Sequence, residues 1–147
     1  LFRSVNREVI YGGVFDWLRT HAGDDVRTWS RRLRHWNDVP EIEQPAVFLA
    51  QNGEQIDRLR AVWTLRMDVY VYVSVGGDEN AVTATPMNHI IDKIADALRP
   101  RRELGETEQT LGGLILDCRI EGKIETDAGV LGAQSVAIIP LVILAED

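Results

Sequence analysis

The amino-acid sequence predicts an α+β fold: a mostly antiparallel, twisted β-sheet with two main helices packed on one face. Three observations predict it. Within residues 61–75, Trp63, Leu65, Met67, Val69, Val71, Val73 and Val75 alternate with Thr64, Arg66, Asp68, Tyr70, Tyr72 and Ser74. That is the two-residue period of a strand. Two other stretches repeat apolar residues at helical spacing, and the last third carries only strand-like segments between glycine-marked turns. A chain of 147 residues is the length of a single domain, here 1–147, and can bury a substantial core.

The first helix is expected over 3–21, with Ser4 or Asn6 as cap and Val5, Val9, Ile10, Val14, Trp17 and Leu18 on its apolar stripe. Gly12 and Gly13 lie inside it and together cost about 2 kcal/mol of helix propensity relative to alanine. They imply a kink or the close approach of another backbone. Gly23-Asp24-Asp25 ends the helix. Val26 to Trp36 then reads as a strand with two partly polar faces, as at an edge or in a subunit contact. Asn37 to Pro40 turns the chain, Ala46 to Ala50 is a short strand, and Gln51-Asn52-Gly53-Glu54 is a second turn.

The strand over 61–75 would run about 45 Å, well beyond the usual five or six residues. It is therefore expected to outrun its own core and to protrude, as a long strand or hairpin around 57–77. Gly76-Gly77-Asp78 breaks it. Thr85 as cap and Pro86 as first residue open the second helix, with Met87, Ile90, Ile91, Ile94, Ala97 and Leu98 buried. Residues 99–110 form a polar loop, mobile or ordered by a partner. Leu114 to Ile120 and Lys123 to Thr126 read as strands joined by a tight turn at Glu121-Gly122, and Asp127 to Gln134 as a loop. Ser135 to Leu144 is a nearly continuous apolar strand containing Pro140, which cannot donate to a ladder. Its strand is expected at an edge, or bulged there.

Composition narrows the function. The formal net charge of −7 argues against a dedicated nucleic-acid binder, which needs many cationic contacts to phosphate. The opening LFRSVNREVIYGG lacks the apolar core of a secretory leader. The longest apolar stretch, Val136 to Ala145, is far short of the roughly 20 residues that span a bilayer, so no membrane partner is expected. Cys118 is the only cysteine, which rules out an intramolecular disulfide and a cysteine-rich metal site.

Catalytic motifs are missing. The sequence has no nucleophile elbow, phosphate loop, zinc-protease helix or dinucleotide fingerprint. His89, Asp92 and Asp96 share a helix face at a spacing that could bind a metal, but a solvated helix face explains the same residues and is the preferred reading, so no metal site is expected. Cys118, beside Leu116 on an alternating strand, reads as a buried structural thiol. His21 and His35 have no partner at catalytic spacing, and the acid pairs Asp24-Asp25 and Glu41/Glu43 sit in turns. The expectation is a protein that is no enzyme and needs no cofactor.

One basic island stands in this acidic chain, TWSRRLRHW from Thr28 to Trp36. Arginines interleaved with tryptophans suit a stacking platform for nucleic acid, but they equally suit a subunit contact in which Trp and Arg are anchors. The second reading fits the net charge better. Trp29, Arg31, Arg32 and Leu33, together with Arg66, Tyr70 and Tyr72 on the long strand, are the candidate interface residues.

Taken in order, several segments resemble the tail terminator (tail completion) proteins of long-tailed phages. They are the N-terminal amphipathic helix, SRRLRHWNDV (Ser30–Val39), QPAVFL (Gln44–Leu49) and the strand from Trp63 to Val73. NHIIDKIADALRP (Asn88–Pro100), TLGG (Thr110–Gly113), CRIEGKIE (Cys118–Glu125) and the closing IPL (Ile139–Leu141) follow. The likeness lies in order and texture along nearly the whole chain. It implies a structural virion protein at the head-proximal end of the tail, assembled in the host cytoplasm. Such a protein forms a homo-oligomeric ring, a hexamer in the family. The ring caps the tail tube protein, stops tail growth and offers a joining surface to the head–tail connector protein. DNA would pass through the ring unread. A head–tail connector or neck protein of the same assembly is the neighbouring reading, and a small nucleic-acid-binding module the more distant one.

Overall fold

The computed structural model describes residues 5–76, 80–82, 84–131 and 134–147, with backbone alone for 128–131. Its elements are α1 (Arg7–Ala22), β1 (Thr28–Ser30), β2 (Ala46–Asp57), β3 (Val62–Ser74), α2 (Ala84–Ala97), β4 (Asp117–Ile120), β5 (Glu125–Leu131) and β6 (Gln134–Glu146). The strands form one sheet in the order β1-β2-β3-β6-β4, with β5 also paired to β6. Only β1 and β2 run parallel. This is the expected mostly antiparallel α+β architecture, with both helices on one face.

β3 pairs with β6 from Val62–Glu146 to Ser74–Gln134 without a register shift. Odd-numbered residues of both strands therefore share the helical face. Leu65, Met67, Val69, Val71 and Val73 are buried there with Ala137, Ile139, Leu141 and Ile143 beneath Val14 and Leu18 of α1 and Ile90 and Ile94 of α2. Asn6 caps α1, its side chain accepting from Val9 N at 3.2 Å. Ser4 lies outside the described residues, as do Gly77 and Asp78 of the expected strand break. α2 begins at Ala84, so Thr85 sits inside the first turn, where Pro86 loses no helical hydrogen bond. Trp17 Nε1 donates to Ala97 O at 2.8 Å and joins the end of α2 to α1.

Several expectations need correction. The apolar row of β3 is enclosed by its own chain from Leu65 to Val73, because β6 matches its full length and two helices lie across it. Only the β2–β3 turn projects. The strand expected over Val26 to Trp36 shrinks to Thr28–Ser30. Beyond it, Ser30 Oγ accepts from Arg32 N at 3.0 Å and His35 Nδ1 accepts from Asn37 N at 3.1 Å. Such local side-chain bonds draw the backbone away from a ladder.

Gln51 to Glu54 is not a turn. β2 continues to Asp57 through a bulge between Gln51 and Glu54, with Gly53 at φ +88°. Nor do Glu121 and Gly122 join a hairpin: β4 and β5 lie end to end along the same edge of β6. The expected loop from Asp127 is mostly β5.

Pro140 explains that arrangement. β6 is an inner strand, not an edge. Pro140 O accepts from Glu121 N at 3.2 Å, so the proline's missing donor faces the same side, where β4 has ended and β5 has not begun. Residues 99–110 contain a 3-10 turn, Arg102–Leu104. The segment ends against its own chain: Gln109 Nε2 donates to Arg99 O at 3.0 Å, and Gln109 O accepts from Cys118 N at 2.9 Å.

The two helix glycines separate. A Cβ on Gly12 would meet only Arg31 Nη1, at 3.7 Å, whereas one on Gly13 would come within 2.2 Å of Leu114 Cδ2. The close approach at Gly13 is thus by a side chain, not a backbone. Gly12→Ala should raise stability by about 1 kcal/mol in urea unfolding. Gly13→Ala gains the same propensity but must displace Leu114, and should fall below Gly12→Ala.

Candidate interaction surfaces

Even-numbered residues of β3 and β6 point to the face opposite the helices. There the chain from Arg34 to Gln44 folds over one end only. Val39, Ala46, Phe48 and Tyr72 form a second, smaller cluster, with Trp36, Tyr70 and Val136 packed against it. Tyr72 OH donates to Arg34 O at 2.7 Å, and the Arg34 guanidinium lies 5.4 Å from the Phe48 ring centre while pairing with Glu43 at 3.0 Å. Among the described residues the rest of the face has no helical cover, although Val142, between Arg66 and Arg119 in the ladder, is buried there. Thr64, Asp68, Tyr70, Ile138, Pro140 and Leu144 are half-buried on it and Arg66 is exposed.

The candidate interface residues divide accordingly. Tyr72, 4% exposed, is a core residue of the small cluster and offers a partner nothing. Trp29 is half-buried in β1, edge-on to Phe15 at 6.3 Å. Its indole N–H finds no acceptor among the described residues. Arg31 is held by Glu8 and, at 3.4 Å, by Gln51. Arg32 and Leu33 are exposed, as is Arg66. Tyr70 stands half-open beside Asp68. Burial and the Asp68 charge raise the Tyr70 hydroxyl above its ordinary value. Burial likewise raises Asp68, helped by Glu125 and opposed by the hydrogen bond from Asn52 at 2.9 Å. Two of the island's three arginines, Arg31 and Arg34, are therefore paired within the chain, and Arg27 just before it donates to Ile42 O at 3.2 Å.

Sequence inspection missed the outward row of β6. Every residue from Val136 to Leu144 is apolar, a pattern proper to a strand covered on both faces. Here the outward half, from Ile138 to Leu144, lies on the side without helices. The signal was present in the continuous run, but the proline drew the reading toward an edge. Sequence inspection also missed Leu59 at the β2–β3 turn and Glu54 beyond the bulge.

Burial pushes the Cys118 thiol up to about 12, so it is protonated and inert near neutrality. His89 Nε2 and Lys93 Nζ both reach Asp25 Oδ2, at 3.3 and 2.8 Å, and no group of metal-ligating side chains occurs among the described residues. No helix of the described residues is long and apolar enough to cross a membrane.

The bulge has a visible use. By shifting the phase of β2 it puts Glu54 opposite Leu65, on the helical face. Glu54 there accepts from Tyr11 OH at 2.7 Å and Arg7 Nε at 2.6 Å. Burial opposes ionisation of Glu54, but these two donors outweigh it and hold the carboxyl below its ordinary value of 4.5. No family model and no curated protein matches the chain.

A carboxyl depressed in the folded state contributes stability above its ordinary value and loses it as pH falls through the folded one. Glu54→Gln should cost about 1 kcal/mol at pH 7. In urea titrations that gap to the wild type should close as the pH is lowered beneath 4.5.

Proposed function

We propose that this chain is a structural virion protein that caps a phage tail tube as an oligomeric ring, stopping tail growth and joining the head side. One observation supports assembly most directly. β6 is apolar on both faces, yet among the described residues helices cover one of them, and Ile138, Pro140 and Leu144 stay half-buried on the other while Val142 is buried. An apolar strip of this kind on the described surface is characteristic of an interaction site. The long β3 lends less support than its length suggested, because its own core encloses it. The ordered likeness to tail terminators along the sequence turns assembly in general into this role in particular.

Tyr70, Ile138 and Leu144 would form the apolar part of a subunit or tube contact, with Arg66 on its polar margin and Arg32 and Leu33 at a separate exposed edge. Such a protein has no need of catalysis. Its partners are further copies of itself, the tube protein and the connector, and DNA would pass the ring without being gripped by a chain of charge −7.

The purified protein should sediment as an oligomer, and Ile138→Lys should release smaller species while leaving the helical-face core and the far-ultraviolet spectrum intact. Phage lacking the protein should make overlong tails. Tail-less heads beside tails of normal length would point to a connector instead. A wild-type protein that remains a monomer at high concentration would overturn the ring.

A further inference from the structure

The end of the molecule bearing the β2–β3 turn has two unmatched surfaces. Leu59 at its apex is 100% exposed, flanked by Arg58 and Arg60. The turn is nevertheless fixed. Asp57 Oδ1 accepts from Leu59 N at 3.0 Å and Arg60 N at 3.2 Å, and Ala61 O accepts from Asp147 N at 2.9 Å. A large apolar side chain is thus presented on an ordered backbone and gains no burial from its own chain. Arg60 has only a long, exposed pairing to Asp57 at 3.8 Å, and Arg58 has no ion pair among the described residues.

At the same end, where Val62 pairs with Glu146, the start of α1, the approach to β4 and the end of β6 surround an open cavity of about 290 Å³. Val9, Ile10, Leu114 and Ile115 give it apolar walls, and the exposed Glu146 and Asp147 border it. Val9 and Leu114 are 52% and 36% exposed, so the walls stay open to solvent. Asp147 accepts from Trp63 Nε1 at 3.1 Å through one carboxylate oxygen.

We propose that the Arg58–Leu59–Arg60 tip of one copy enters this cavity on a second copy. Leu59 packs against the apolar walls, while the two arginines meet Glu146 and Asp147. Charge and polarity complement each other: an apolar knob between two cations faces a cavity with apolar walls beside two carboxylates. Knob and socket are different residues, so the contact can pair two copies reciprocally or repeat head to tail, the kind that closes into rings. The inference rests on the assembly reading for its choice of a second copy as occupant.

Leu59→Cys and Val9→Cys proteins, each in a Cys118→Ala background, are mixed under mild oxidation. The expected result is a mixed disulfide formed much faster than between Leu104→Cys and Val9→Cys, a pair that reports random collision. Equal rates would overturn the proposal. Sedimentation supplies the second measurement: Leu59→Asp, at a site too exposed to affect folding, should weaken self-association by about 30-fold or more. Oligomers of unchanged strength in Leu59→Asp would refute the knob and socket while leaving the ring reading intact. Cross-linking at Leu59 together with normal tail lengths in phage lacking the protein would uphold the contact and sink the terminator role.

Discussion

All of β3 pairs with β6, 13 residues each, without a break in register. That ladder joins segments far apart in the chain and fixes which side chains meet the helices. Because the side-chain period of a strand is two, slipping either strand by one residue would turn Leu65 to Val73 or Ala137 to Ile143 away from α1 and α2. Everything peripheral is attached to this pair. β2 and then β1 extend it on one side, β4 and β5 share the other, and the helices pack over its odd-numbered residues. A topology so dependent on distant pairing is of the kind that folds slowly, and its centre must be right before the edges have anything to join.

The elements visible in the sequence were those whose pattern is enforced by that core. β3 was legible almost to the residue because its inward row is buried and its outward row is polar. α2 was legible for the same reason at helical period. What misled were segments where backbone geometry is set by a few local bonds. Ser30 and His35 divert the chain after β1, although the alternation around them looks like strand. Asn52-Gly53 marks a change of backbone direction that proved to be a bulge rather than a turn, since both accept glycine at positive φ. Glu121-Gly122 marks a gap rather than a hairpin. No local pattern specifies whether the next strand folds back on β4 or continues beside β6.

The candidate interface was harder to read than the fold. Residue type, together with the two-sided character and length of their strands, marked Trp29, Arg31 and Tyr72 as interface candidates, but a large aromatic or an arginine is as useful inside a domain as between domains. Tyr72 is claimed by Arg34 O and Phe48, and Arg31 by Glu8. Arg66 kept its exposure because it stands past the end of the covering segment, whereas Tyr70 packs against the small cluster and is half-buried. The outward apolar residues of β6 needed the sheet order to be recognised, since a continuous apolar run has the same appearance whether one or both faces are covered.

Charge and apolar surface work against each other in such a chain. A net charge of −7 favours dispersal of free copies, while the uncovered strip on β6 favours association. The arrangement of charges decides how these coexist. Exposed arginines stay close to carboxylates of their own chain: Arg19 to Asp16 and Arg99 to Asp96. Pairs so exposed add little stability, but they keep cations from acting as indiscriminate contacts for acidic neighbours. Among the described residues Arg27, Arg101, Arg102 and Lys123 also lack an ion pair, but it is Arg32, Arg58 and Arg66 that lie at the exposed edge, at the turn and on the face without helices. Long-range repulsion then opposes random encounters, and only an approach that brings one of these arginines against a carboxylate and covers apolar surface together is favourable. That is a condition for ordered assembly rather than aggregation, and it is met by placement of a few residues rather than by the overall composition.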